Sequence, residues 1–365
     1  MLQRQLFVVA ICMGLALVAA YARAAERLLS RIAFGSCCKQ DKPQPIWNAI
    51  VAAQPDLFLM LGDNIYGDTQ DMQVLRAKYA QLGNQPGFLK LKATCPILAT
   101  WDDHDYGAND AGVEFPRKRE SQQVFLDFFG AAPNDPRRTG QEGVYSAQVF
   151  GPPGRRVQII LLDGRYFRSP LKTGTRSAEP GEGFRGRYIP NSEPGTTMLG
   201  EAQWTWLERQ LSVEADVRLI GSGVQVVADQ HGSETWGNFP QERERLFRTI
   251  RDVGAQGVVF LSGDRHLAEL CRLPPGGKNV VGYPLFDVTS SSLNEPSGNF
   301  TRAKTRFANE VNPWRVGLTY FDTNFGMVTI DWSEADPVLR LQIHDEQGET
   351  VIQQRTTLSV LHTAP

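Results

Sequence analysis

The sequence predicts an α/β fold in which short buried strands are joined through helices and a set of antiparallel strands closes the chain. Three observations carry this reading. Short apolar runs alternate with amphipathic stretches, the pattern of strands connected by helical crossovers. The sharpest of these runs end abruptly in carboxylates, where ligands bind in open α/β sheets. The C-terminal stretches instead alternate apolar and polar residues about an Asp-Glu-Gln-Gly turn, as antiparallel strands do.

Taken in chain order, residues 1–24 read as a secretory leader, with Arg4 in a short basic region, an apolar run Leu6–Ala20, and Ala22-Arg23-Ala24 as a small-x-small cleavage site. The run is short for a membrane span, and Cys12 lacks the small residue before it that lipid attachment needs. The expected product is a periplasmic or secreted protein exported by a Sec-type route, with residues 25–365 as a single domain. Strands are expected at Arg31–Gly35, Asp56–Leu61, Pro96–Trp101, Val157–Leu162, Val217–Val227, Gly257–Leu261 and Leu285–Thr289. Helices are expected at Glu201–Leu211, with Trp204, Leu207 and Leu211 on one core-facing stripe, and at Pro240–Val253, which opens on proline and stops at Gly254. Asn134–Gln141 and Ser169–Thr197 are rich in Gly and Pro and read as surface loops. Gly326–Trp332, Val338–Asp345 and Thr350–Leu361 are the antiparallel strands, expected to extend or cover an edge of the same sheet system.

Composition narrows the function. A 365-residue chain that is 41% hydrophobic can bury a large core. Its net charge of -2 comes from scattered residues, so neither a basic nucleic-acid track nor a polybasic membrane patch is expected. The four cysteines beyond the leader, Cys37, Cys38, Cys95 and Cys271, are too few for a disulfide scaffold but allow one or two bridges. Adjacent Cys37 and Cys38 are poorly placed to bridge each other.

Chemistry concentrates where apolar runs stop. Asp56–Leu61 delivers Gly62, then Asp63 and Tyr66 three positions apart. The next run ends Trp101-Asp102-Asp103-His104-Asp105, a cluster that repels itself unless cations neutralise it. If extended, it would put Asp103 and Asp105 on one face and Asp102 and His104 on the other. A third run ends Ser262-Gly263-Asp264-Arg265-His266, and Cys37 follows the first strand. Carboxylate with imidazole suits a hard or borderline metal ion.

These residues resemble the alkaline phosphatase D (PhoD-like) branch of the calcineurin-like metallophosphoesterases. The motifs are Phe34-Gly35-Ser36-Cys37, Gly62-Asp63-Asn64-Ile65-Tyr66, Trp101-Asp102-Asp103-His104-Asp105, Asp163-Gly164-Arg165-Tyr166-Phe167-Arg168, the Leu199–Trp206 segment, Ser262–His266 and Asn324-Phe325-Gly326. They run in order over most of the chain. The resemblance implies a four-layer αββα sandwich, two mixed sheets flanked by helices, with the C-terminal strands completing the sheets. It also implies ferric iron held by Cys37, Asp63, Tyr66, Asp264 and His266. A second ion, typically calcium, would share Asp63 and use Asp103 and Asn109. The expected activity is metal-assisted hydrolysis of phosphate esters by a monomer acting on a small monoester or diester, with a phospholipid or polymer diester as the alternative substrate.

Within that reading His104 protonates the leaving oxygen, or is structural. Arg165 either grips the equatorial oxygens or pairs with Asp163 or another acid. Gln225 and His231 are each open as a further ligand, and Gly237 stands where relatives commonly carry Asp. Many members carry an N-terminal sandwich domain; with Ile32 so close to the cleavage site, none is expected. The rival readings are a metal-free glycosidase using paired carboxylates and a calcium-binding surface protein.

Overall fold

A computed structural model describes residues 27–174, 186–299, 307, 310 and 312–363. The leader reading and part of the Ser169–Thr197 loop lie outside the described residues. Among the described residues, twelve strands form two six-stranded sheets. In the first, β1 (Arg31–Gly35), β2 (Leu57–Leu61) and β3 (Ile97–Thr100) are parallel neighbours, and β10 (Asn324–Asp331), β11 (Val338–Asp345) and β12 (Thr350–Thr357) continue antiparallel from β1. In the second, β5 (Val157–Leu161), β6 (Val217–Ser222), β7 (Val258–Ser262) and β9 (Leu285–Ser290) are parallel, edged by antiparallel β4 (Ser146–Phe150) and β8 (Ala268–Leu273). The C-terminal strands thus extend the first sheet, as the alternation predicts.

Successive side chains point to opposite faces and both faces are covered, so β2 and the part of β1 beyond Arg31 are apolar. Ile32, Phe34, Leu57, Leu59 and Leu61 pack into the core between the sheets. Ala33, Phe58 and Met60 point the other way, into a second core with Trp47, Leu75, Tyr79, Phe88 and Phe125. That outer core is covered by α1 (Ile46–Ala52), α2 (Met72–Gly83), α3 (Pro86–Thr94) and α5 (Lys118–Phe128). On the far side, α7 (Gly200–Leu211) and α8 (Pro240–Asp252) bury Trp204, Leu207, Leu211, Leu246, Phe247 and Ile250. Each such side chain contributes roughly 1.5–3 kcal/mol when fully buried, and the result is the four-layer arrangement.

Several boundaries differ from expectation. The run Val217–Val227 is a strand only to Ser222; Gly223 sits against the Asp102 carboxylate, and the apolar residues beyond it are buried in a loop whose amides at Val226 and Val227 bind Asp287. Thr350–Leu361 ends as a strand at Thr357 and finishes in a 3₁₀ turn. The expected loop Asn134–Gln141 contains a helical turn, α6 (Pro136–Thr139), with Asp135 accepting from the Arg137 amide. Asp102–Asp105 is not extended. Asp103–Tyr106 forms a one-turn helix, α4, whose capping box pairs Asp102 with Asp105. Cys37, Cys38, Cys95 and Cys271 are buried free thiols.

Candidate metal centre

Because β1, β2 and β3 run parallel to one another and β7 runs parallel to β6 and β9, the site residues follow the carboxyl ends of these strands. The chain must turn sharply there. Six of the seven described non-glycine residues with positive φ are at this edge: Cys37, Asp63, Asp68, Asp110, Asp264 and His266. Left-handed backbone is costly for side-chain-bearing residues and gathers at functional sites. Gly62, at φ 100°, makes the turn after β2, where a Cβ would overlap the Cβ of Asp102. The turns are tied together by Cys38 N to Asp63 O at 2.8 Å and Gly263 N to Gly223 O at 2.9 Å, and Thr100 Oγ1 crosses to Leu162 O at 2.7 Å.

This backbone brings together Cys37, Asp63, Tyr66, Asp103, His104, Asp264 and His266 from the sequence motifs. The donor atoms of Cys37, Asp63 and His266 lie within 4.8 Å of one another, as do those of Asp63, Asp103 and His104, and those of Asp102, Asp103 and Asp264. Tyr66 Oη is 3.1 Å from His266 Nε2, and Cys37 Sγ is 3.4 Å from Asp63 Oδ2. Asn109 is exposed. Its neighbour Asp110 is the residue that reaches inward, with its carboxylate grouped with Asp103 and Glu234 and its amide donating to Asp103 Oδ2 at 2.6 Å.

The electrostatics fit cations. Burial raises the proton affinity of Asp63 and Asp264, and the neighbouring acids raise it further. Burial also pushes the Cys37 thiol up to about 12 and raises the Tyr66 phenol, while it lowers His266 to about 4 and so leaves its imidazole neutral. Asp102 Oδ2 is buried with no hydrogen-bond partner among the described residues. Thiol, phenol and carboxylates gathered this closely favour their ionised forms only when positive charge is supplied, and the neutral imidazole beside them is already a donor. The donor set therefore fits a metal pair.

Other residues hold this group in place. Asp105, whose pKa burial lifts to about 7, is a buried clasp: it accepts from the amides of Asp63 at 3.1 Å and Asp102 at 2.7 Å and from Tyr79 Oη at 3.2 Å. His104 Nδ1 lies 2.7 Å from Asp68 Oδ1, and its ring leans on Tyr66 with centroids 4.3 Å apart. Burial opposes its protonation, but the Asp68 bond and the charges of Asp103, Asp68 and Asp102 prevail and raise its pKa. Arg165 is 1% exposed, and its guanidinium is spent on Asp102 at 2.6 Å and Glu234 at 2.7 and 2.9 Å. Asp163 instead binds the backbone amides of Arg165 and Tyr166. Of the two readings open for Arg165, the structure shows pairing with buried acids.

Gln225 is buried away from the strand-end cluster, donating to Glu269 and Thr289, and His231 is buried in the following loop. His344 stacks on Phe325 from β11. Sequence reading missed Asp110 and Glu234, which follow no apolar strand, and gave no role to Asp68, although Asp68 ends the same Gly-Asp motif. Beside the cluster opens a cavity of 380 Å³ walled by Arg187, Tyr188, Glu234, Asp264 and His266.

Comparison with known proteins agrees with this architecture. The model of the PhoD-like phosphatase family matches residues 32–338. Alkaline phosphatase D of Bacillus subtilis (strain 168) is 24% identical over 219 residues, which is 53% of this chain but only 35% of that protein. Among solved structures, PhoD superposes with a TM-score of 0.67 at 17% identity, covering 92% of this chain and 69% of its own. GAP50, the anchor in the inner membrane complex of Plasmodium, superposes at 0.53 with 12% identity, covering 91% of this chain and 89% of its own. At such identities these likenesses concern the fold.

Proposed function

The chain belongs to the PhoD-like phosphatase family, and on that premise we propose that it is a metal-dependent phosphoesterase. The observation that carries the reading is the buried convergence of Cys37, Asp63, Tyr66, Asp103, Asp264 and His266 at the strand ends, an arrangement whose carboxylates bound cations would neutralise. Cys37, Asp63, Tyr66, Asp264 and His266 would hold ferric iron, for which thiolate and phenolate are suitable donors. Asp63 and Asp103, with Asn109 on the wall of the adjoining cavity and Asp110 beside Asp103, would hold calcium through oxygen. Bound there, the ions would supply Lewis acidity to the phosphoryl group and acidify water.

The chain's own residues supply the rest. His104 presents Nε2 while Asp68 fixes Nδ1, which sets the ring to donate a proton to the leaving oxygen. Asp105 and Arg165 are positioning residues: the first fixes the turn carrying Asp103, and the second fixes Asp102 and Glu234 behind it. The 380 Å³ cavity suits a small phosphate ester, with exposed Arg187 at its rim to meet an anionic group. No helix of the described residues is long and apolar enough to cross a membrane. Export by the leader is part of the proposal, and N-terminal sequencing of the mature protein would find Ala25 first.

The test is to strip the enzyme of metal, restore iron, calcium, both or neither, and assay a phosphomonoester against a phosphodiester. Turnover that returns only with metal supports the reading, and the ester preferred assigns the substrate class. Full turnover without metal overturns it.

A further inference from the structure

A second cavity of 470 Å³ lies between α8 and the turn at residues 277–280, outside the strand-end cluster. Four cations wall it: Arg243, Arg248 and Arg251 from α8, and Lys278 from the turn. Two acids, Asp229 and Glu244, share the wall. In a chain of net charge -2 this is a local excess of positive charge. Asp229 is divided between two of the cations, accepting from Lys278 Nζ at 2.9 Å and Arg243 Nη1 at 3.3 Å, so that trio remains positive. Glu244 is a loose partner, 3.7 Å from Arg248. The partner of Arg251 is Asp252, which does not line the cavity.

The cavity has a fixed floor and a charged mouth. Arg243 is 5% exposed and bound by the carbonyls of Val226 at 2.6 Å and Val227 at 2.9 Å, with its guanidinium over Phe247. Arg248, Arg251 and Lys278 are half exposed, each beside an acid, and present their charge at the mouth of the cavity. Gly237 lets its segment pack closely on Asp229 in the cavity wall, since a Cβ there would lie 2.8 Å from the backbone of Asp229. Pro190, Pro240 and Val280 add apolar surface.

Guanidinium groups beside apolar walls select an oxyanion carried on an apolar body. We propose that this cavity is a second ligand site, separate from the metal centre, which takes a small organic phosphate or carboxylate with an apolar portion. It backs onto the catalytic cavity. Segments 187–190 and 229–237 wall both, and they are joined by Tyr188 N to Gly232 O at 2.9 Å and Asn191 N to Asn238 O at 2.7 Å.

The experiment is calorimetric titration of the metal-loaded enzyme with phenylphosphonate, which cannot be hydrolysed, and separately with phthalate, which distinguishes phosphate from carboxylate recognition. One variant removes the charge, Arg248→Ala/Arg251→Ala/Lys278→Ala. A second, Val280→Trp, fills the cavity and keeps every cation. The expected result is a binding event with at least one probe that weakens tenfold or more in both variants, while turnover of a phosphomonoester is unchanged. The site is identified by this sensitivity, so the result holds whether or not the strand-end cluster hydrolyses esters. Binding of both probes that neither variant alters, or that Val280→Trp leaves intact, would overturn the assignment, as would the absence of any event beyond the metal centre.

Discussion

Replacing Arg165 with methionine separates a residue that positions the site from one that grips the substrate. The substitution keeps the length of the buried stem and removes a guanidinium that holds Asp102 at 2.6 Å and Glu234 at 2.7 Å, with all three side chains nearly sealed from solvent. Breaking a buried ion pair by deleting one partner costs about 3–5 kcal/mol, because the remaining charge is left uncompensated. With an unfolding entropy of about 2.1 cal/mol/K per residue, a 365-residue chain loses about 4–7 °C of melting temperature for that cost. Displacement of Asp102 should carry Asp103 with it, so kcat should fall while KM changes by less than about threefold, the pattern for a group that does not bind the ground state. Thermal denaturation and steady-state kinetics on a chromogenic phosphomonoester measure both. An unchanged melting temperature with a KM raised tenfold or more would refute the reasoning and return Arg165 to the substrate.

Four further substitutions have definite expectations. His104→Ala should lower kcat by about 10²–10⁴-fold, the range for a general acid, with metal content retained. Asp68→Asn should lower kcat less and shift the basic limb of its pH profile to lower pH, because His104 acts protonated and loses a partner that raises its pKa; a merely structural Asp68 would leave that limb in place. Gly62→Ala forces a side chain into φ 100° and against Asp102. It should cost about 3 kcal/mol in urea denaturation through strain and overlap together, and a cost below about 1 kcal/mol would mean the turn is not constrained. Asp229 is partly buried, which disfavours its charge, but Arg243, Lys278 and Trp314 outweigh this and hold its carboxyl below the usual range. A depressed folded pKa stabilises above the unfolded pKa of about 4 and is lost as pH falls through the folded one. Asp229→Asn should therefore destabilise by about 1–3 kcal/mol at pH 7 and by progressively less below pH 4. A pH-independent cost would show that the charge is not what matters.

The parts of this fold that were legible in the sequence share one physical cause. β2 and β7 are buried throughout, β1 is buried beyond Arg31 and β3 at its end, so all four are mainly apolar, and the sheet edge where they stop is where polar residues become affordable. That contrast marks Cys37, Asp63, Asp103 and Asp264 without any structure. The outer helices gave a weaker signal. In α2 only Leu75, Tyr79 and Leu82 are buried, and α5 begins Lys-Arg-Glu-Ser, so their apolar stripes are narrow. Edge strand β4 was missed because four of its five residues are only partly buried. Glu234 and Asp110 could not be ranked above other loop acids, since long-range packing brings them to Arg165 and Asp103. The α4 turn was not anticipated, and the extended case was the one considered, because the cause of the turn, the capping box of Asp102 and Asp105, uses residues that also read as ligands.

The central claim is that the strand-end cluster works through bound metal. Elemental analysis of the purified wild-type protein and of Asp63→Ala, with turnover of a phosphomonoester measured on the same samples, tests it most directly. Asp63 belongs to both of the groups that contain Cys37 and His104, so its loss should remove iron and calcium together and abolish turnover. A wild-type sample with bound iron should also show a visible charge-transfer band that disappears in Cys37→Ser or Tyr66→Phe. Wild-type protein that turns over its ester at full rate with no stoichiometric metal, or an Asp63→Ala variant that keeps both its metal and its activity, would contradict the account.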